Sequence, residues 1–469
     1  ALVEQITARA EGNPFYIEEL LNYLHNRNLD LQDVATLADV DLPTSLHSLI
    51  LSRIDQLTES QKSALKVASV VGRVFRVAWL WGAYPQLGEM DRVRVDLDIL
   101  REMDLMLLES SKPELVYFFK HIITQEVAYE TLPYAFRATL HEQIGGFIEQ
   151  TYPDKLDQFV DLLAYHYEHS ENEAKKREYL LMAGKWAQEH YANEAAISYY
   201  RRLLPLLPDD EQIDVMLKLG QVLERVGEWQ EAHQLYQQAH DVAKSLGDPH
   251  AQARCYTAIG ELFRKQGQYE EASLWLQRAQ LGFGNLEDQK GVGQVLHYSG
   301  TLAAQQGNYD VARQLYEASL DIRRELDDKP NIASLLSNLG IIARYQGDVP
   351  LALELHEEAL AIRRQLGDKG AIANSLNNLG YVLALNKDNY AQARERLEES
   401  IKLQQEIGDK FGTANSLNNL GNLARDQGDY VRARVFYQDS LVLNQEMGAK
   451  WALAYLIDDI GLLFALEGK

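Results

Sequence analysis

The sequence predicts an all-α protein whose larger part is a right-handed α-solenoid. Three observations carry that expectation. An apolar-Gly pair recurs about every 40 residues through the second half, only 11 of the 469 residues are proline, and a hydrophobic share of 46% is enough to build a core. A fixed period in this range marks a repeat array, in which each unit buries its apolar face only against its neighbours.

The pairs are Leu219-Gly220, Ile259-Gly260, Leu339-Gly340, Leu379-Gly380, Leu420-Gly421 and Ile460-Gly461, with Ser299-Gly300 in the same register. One step measures 41 residues instead of 40, because Asn386-Lys387-Asp388-Asn389 adds a residue. A turn glycine follows each pair, at Gly227, Gly267, Gly307, Gly347 and Gly428. After it comes a small residue (Ala232, Ala272, Ala312, Ala352, Ala393, Ala433) and then a larger one (Tyr236, Leu276, Tyr316, His356, Leu397, Tyr437). A second turn falls at Gly247-Asp248, Gly367-Asp368 and Gly408-Asp409. The pattern reads as two helices per unit, A then B. Glycine permits the left-handed turn that ends a helix. The aspartate after it caps the next helix A. Small residues let the helices approach, and large ones fill the space between them.

These positions resemble the tetratricopeptide repeat. The phrase SLNNLG, at Ser375–Gly380 and Ser416–Gly421, is similar to kinesin light chains and to the long-repeat arrays of bacterial signalling proteins. The array then covers 209–469, about six and a half repeats, and stops inside one, so the chain reads as an excerpt. Glu173–Leu207 reads as a degenerate hairpin ended by Pro205 and Pro208. The resemblance implies a concave groove lined by the A helices, with a protein, a peptide or a small effector as its ligand.

Helical spacing puts one stripe of A-helix residues on that face. It contains Arg254, Glu261, Arg264, His297, Tyr298, Asn338, Arg344, Asn374, Asn377, Asn378, Tyr381, Asn415, Asn418, Asn419, Asn422 and Arg425, and it ends at Asp458 and Asp459. Eight of these are asparagine. Inside a helix each costs roughly 0.6 kcal/mol against alanine, about 5 kcal/mol for the set. Two readings offset that cost. The amides hold the backbone of an extended peptide, or they bond to each other between adjacent A helices.

Residues before about 208 lack the period. Leu46–Asp55, with Thr44 or Ser45 as its cap, and Ser60–Val71 read as helices. Leu105–Glu109 and Leu115–Phe119 read as a β-hairpin. Helices followed by a hairpin suggest a winged helix. The expected division is 1–42 small helical domain, 43–150 winged-helix domain, 151–208 helical linker and degenerate repeat, and 209–469 repeats.

The phrases EGNPFYIEELL (11–21), LPTSLHSLILSRIDQLTESQKSALKVASVVGRVF (42–75) and VYFFKHIITQEVAYETL (116–132) resemble the stretch after the nucleotide-binding core of STAND-class signalling ATPases. By that resemblance Pro14 packs near an adenine and His121 senses the β-phosphate of ADP. ADP or ATP, and an upstream nucleotide-binding domain, would belong to the full-length protein. This chain has no G-x-x-x-x-G-K-[ST] phosphate loop, so it is expected to bind and not to catalyse.

Composition narrows the partners. A net charge of −23 opposes binding to nucleic acid and anionic membranes. Asp96, Asp98, Glu102 and Asp104 make the winged-helix region acidic, against a DNA-binding role. No apolar run suits a membrane span. A single cysteine, Cys255, fits a cytoplasmic protein. His166 and His169 sit three apart on a helix without a third ligand in sequence, so they are read as packing and no metal is expected. Gly282 and Gly284 read as a frayed helix end. The chain is therefore expected to be the sensing segment of a STAND-type switch, with a passive adaptor and the arm of a transcription activator as the other two readings.

Overall fold

The computed structural model describes residues 14–26, 45–112, 114–447 and 450–466. Gly12, Asn13 and Leu42–Thr44 fall outside the described residues. The chain divides into two compact units, 1–227 and 228–469.

The first unit contains α1 (Pro14–Asn26), α2 (Leu46–Asp55), α3 (Glu59–Val71), β1 (Val74–Arg76), α4 (Val77–Ala83), α5 (Met90–Glu102), β2 (Met106–Ser110), β3 (Val116–Phe119), α6 (Ile122–Glu130), α7 (Tyr134–Thr151), α8 (Val160–Glu168), α9 (Glu173–Glu189), α10 (Asn193–Leu203) and α11 (Asp209–Val226). Ser45 caps α2 through a reciprocal bond pair with Ser48, and Thr58 caps α3 in the same way with Gln61.

The expected hairpin is β2–β3, antiparallel with Leu107 opposite Phe118. A third strand, β1, pairs with the other edge of β3. The sequence did not reveal it, because three residues are too few to show alternation. Its Phe75 buries against Tyr117 and Phe119 of β3. One continuous core runs from Ile50 through Phe119 and Ile144 to Tyr167 and Ala183, so it passes residue 150 without a break.

The second unit opens with helix B of a repeat, α12 (Trp229–Ser245). Five A–B hairpins follow: α13 (Pro249–Lys265) with α14 (Tyr269–Asn285), α15 (Gln289–Gln305) with α16 (Tyr309–Glu325), α17 (Lys329–Tyr345) with α18 (Val349–Leu366), α19 (Lys369–Leu383) with α20 (Tyr390–Glu406), and α21 (Lys410–Asp426) with α22 (Tyr430–Met447). A last helix A, α23 (Lys450–Leu466), packs on α22. This is an α-solenoid. Consecutive A helices pack on one another more closely than consecutive B helices do, which makes the A side the inner face of this unit.

The apolar-Gly pairs have a steric reason. A Cβ on Gly300 would lie 2.7 Å from Tyr316, one on Gly340 2.8 Å from His356, and one on Gly421 2.4 Å from Tyr437. Each large residue of helix B therefore sits directly over the helix A backbone of its own hairpin.

The turn aspartates cap as expected: Asp248, Asp368 and Asp409 accept from the backbone N–H three residues on. Asp288 and Asp328 do the same in the two repeats whose turn lacks glycine. There Glu287 and Asp327 take the left-handed conformation at φ 54° and 50°. For an L-residue that costs roughly 1–2 kcal/mol.

One expectation is corrected. Gly282 does not lie in a frayed end, because α14 continues to Asn285. A Cβ at Gly282 would come 3.0 Å from that of Ala253. The glycine permits close helix packing.

Candidate functional site

The asparagine stripe follows a register. The residue three before one apolar-pair glycine bonds to the residue two before the next. His297 pairs with Asn338 at 2.9 Å, Asn377 accepts from Asn419 at 2.9 Å, and Asn418 donates to Asp459 at 3.0 Å. Each bond joins one helix A to its successor. Ser416 adds a second donor to the Asn377 carbonyl at 3.0 Å. The His297 ring accepts from the Asn338 amide, so the imidazole is neutral. Burial, then Arg323 and Arg264, holds its pKa down at about 4. These bonds hold successive A helices together, although the Asn418 Oδ1 has no partner among the described residues.

Several charged members of the stripe are also engaged. Arg264 donates to both oxygens of Glu261 and to Gln305. Arg425 contacts Asp426 and Asp459, and Asn422 accepts from the Tyr437 hydroxyl at 2.7 Å. Arg254 and Tyr298 lie half-buried on the same face. What faces outward with capacity to spare is a smaller set. Asn374, Asn378 and Asn415 make no side-chain hydrogen bond among the described residues. Tyr381 is 37% exposed, with the Arg344 guanidinium 5.1 Å from its ring.

Near the end of the stripe a cleft of about 360 Å³ opens among α19, α21, α22 and α23, lined by residues that include Tyr381, Asn415, Asn418, Asn444 and Asp458. Asn444 is 3% exposed and lies on α22. It escaped sequence reasoning because that reasoning followed only the A helices. A buried amide on a B helix was its one available signal.

The first unit brings together the two residues that the resemblance singles out. Pro14 is the first residue of α1, and the next residue, Phe15, lies with its ring centroid 3.7 Å from that of His121. His121 caps α6 by position only, without a side-chain bond, and its buried Nε2 has no partner among the described residues. Burial is the main force lowering its pKa. Helix α1 is held at this corner by Glu19, which pairs with buried Arg53, and by Glu18, 2.5 Å from Lys120. Lys120 also pairs with Asp104.

The structure adds His141 to the pair set aside in sequence. His141 Nδ1 and His166 Nδ1 are 2.9 Å apart, and the His169 ring centroid is 5.1 Å from that of His141. Among the described residues no group of His, Cys, Asp and Glu has the geometry of a metal site. Cys255 is buried on α13 with its pKa pushed up to about 12, which makes it a poor nucleophile.

With this geometry in hand, the sequence pattern of the tetratricopeptide repeat matches residues 211–280, 291–365 and 371–446. These segments are tetratricopeptide repeats. A second family, a domain of unknown function (DUF8739), matches residues 1–30. No curated protein matches the chain.

Among solved structures, a Signal Transduction ATPase with Numerous Domains (STAND) with a tetratricopeptide repeat sensor, from Pyrococcus horikoshii, aligns over 100% of this chain and 69% of its own, at TM-score 0.54 and 16% identity. Aspartyl phosphate phosphatase F from Bacillus subtilis aligns over 83% of this chain and 95% of its own, at TM-score 0.48 and 12% identity. BtubC from P. vanneervenii aligns over 48% of this chain and 93% of its own, at TM-score 0.40 and 21% identity. Such identities speak for the fold alone. No helix among the described residues is long and apolar enough to cross a membrane.

Proposed function

We propose that the tetratricopeptide repeats take a protein or peptide ligand on their inner face, and that the first unit relays occupancy to a nucleotide-binding core elsewhere in the full-length protein. The observation that carries the first half is the division of labour along the stripe. The inter-helix register uses Asn338, Asn377, Asn418 and Asn419, while Asn374, Asn378, Asn415 and Tyr381 keep their donors, acceptors and ring for an incoming chain. An amide that both donates and accepts suits a peptide backbone.

The two groups of amides separate in an experiment. Replacing Asn374, Asn415 and Tyr381 together by alanine should abolish binding of fluorescein-labelled peptides, screened as a random hexamer pool, and leave the melting temperature nearly unchanged. Asn377→Ala should instead lower stability by about 1 kcal/mol through its lost bonds. Unchanged peptide binding in the triple variant would refute the groove.

The second half rests on the corner of Pro14, Phe15 and His121. An unpartnered buried imidazole nitrogen beside an aromatic ring fits a phosphate acceptor next to a base. His121 Nε2–H would donate to the phosphate, and Pro14 would pack beside the adenine. The bound nucleotide would supply the two states that a switch needs, differing in their affinity for the repeat ligand. The Pyrococcus horikoshii STAND protein, which carries a tetratricopeptide repeat sensor and aligns with the whole of this chain, supports a sensing role for the repeats. Native full-length protein, denatured and assayed, should release about one ADP per chain, and His121→Ala should release at least tenfold less after the same purification. Protein that carries no nucleotide yet binds peptide would instead be a passive adaptor.

A further inference from the structure

The cleft at the end of the inner face is built for a cation, and we propose that it receives an arginine side chain of the peptide ligand. This rests on the reading of that face as a peptide groove.

Among the described residues, the side-chain atoms of the cleft that are both buried and unpartnered are all acceptors. Asn418 Nδ2 donates to the Asp459 carboxylate at 3.0 Å, and Asn444 Nδ2 donates to the Ser440 carbonyl at 3.0 Å. Both partners can only accept, so each amide is fixed with its nitrogen on that side. Its oxygen must then be the free end. Asn418 Oδ1 and Asn444 Oδ1 are both buried and both lack a partner among the described residues. Leaving such an atom unsatisfied is costly, so a donor that reaches it is favoured. Asn444 itself is 3% exposed, so bulk water does not relieve it.

Charge points the same way. Asp458 and Asp459 line the cleft, and none of its lining residues among the described ones is basic. Arg425 engages Asp459 from outside that lining, which leaves the charge of Asp458 exposed. An anion would meet two carbonyl oxygens and a net negative charge. A guanidinium presents five N–H donors in a planar fork and never loses its charge. It can serve the two carbonyls and a carboxylate together. Tyr381 and Leu456 supply the apolar wall along which an arginine stem lies. The volume, about 360 Å³, admits one side chain and not a folded partner.

The test uses fluorescence polarisation on the chain with the labelled pentapeptide Ala-Ala-Arg-Ala-Ala-amide and three relatives carrying citrulline, lysine or glutamate at the centre. Citrulline keeps the shape and removes the charge. The arginine peptide should bind at least tenfold tighter than citrulline, lysine should fall between them, and glutamate should not bind. Asn444→Leu and, separately, the surface change Asp458→Asn should each narrow the arginine-to-citrulline ratio severalfold. Asp458 is exposed, so its variant remains informative if Asn444→Leu does not fold. Equal binding of arginine and citrulline peptides overturns the cation site and leaves the groove standing. Failure of all four to bind up to millimolar concentration overturns the cation site. If the random hexamers fail as well, the groove goes with it.

Discussion

Glu19→Ala is expected to destabilise the first unit by about 3–5 kcal/mol, because it strands a buried charge. Arg53 is fully buried, and Glu19 is 1% exposed. The guanidinium donates to the Glu19 carboxylate and to the Met103 carbonyl, while its Nε has no partner. Among the described residues those two contacts provide all of its compensation. Removing the carboxylate leaves a cation in the core that water cannot reach. Glu18 lies one residue earlier on α1 but pairs with Lys120 at the surface, and Glu18→Ala should cost less than about 1 kcal/mol. Urea unfolding, read by hydrogen exchange in α2 and α5, measures both. Equal losses in the two variants would show that the Arg53 pair is not the anchor of α1.

Mild acid should destabilise the same unit through His141 and His166. Both side chains are fully buried, on α7 and α8. Burial is the first cause lowering His141 to about 2, with His166, His169 and Arg137 adding to it. Burial again, then His169, lowers His166 to about 3. The other groups facing the cluster are Tyr129, which bonds His141 at 3.0 Å, and Tyr165. Neither hydroxyl offers a negative charge in this range. Unfolded histidine takes up a proton near pH 6.5. Below that pH the unfolded chain binds protons that the folded chain refuses. Stability is thus fully present above about pH 6.5 and is lost as the pH falls towards 3. Each group contributes a slope of about 1.4 kcal/mol per pH unit, so the pair removes about 3–4 kcal/mol between pH 7 and pH 5. Urea midpoints across that interval measure the slope, and His166→Leu should roughly halve it. A slope indifferent to that change would assign the acid sensitivity elsewhere.

The repeat unit was legible in the sequence because its physics is local and periodic. A glycine under a tyrosine, an aspartate at a helix start and a left-handed turn each leave a mark at fixed spacing. The two repeats in which Glu287 and Asp327 replace the turn glycine were still found, since Gly300 and Gly340 keep the register of the glycines under the large residues. The site was only half legible. Periodicity placed the asparagines on one face, but it could not say which would bond to the next helix. That depends on distances across a gap that the sequence does not encode. Asn377 and Asn378 are adjacent and identical, yet one is spent and the other is not. Asn444, His141 and Phe15 matter through contacts made by folding, so no local motif pointed to them. The short strand β1 escaped because three residues show no alternation of their own and its pairing is decided by β3, 40 residues away.

The extra residue of the fourth hairpin has a consequence for how such an array changes length. It is absorbed by a short 3-10 turn, Lys387–Asn389, between α19 and α20. A Cβ on Gly380 would still fall 2.7 Å from Leu397, which comes one position later than its counterparts in the other hairpins. The lengthening goes no further than the turn where it arose. Errors of spacing in this molecule do not accumulate, as they would in a continuous coiled coil. Insertions can therefore be tried at the A-to-B turns one at a time, each leaving the neighbouring repeats in step.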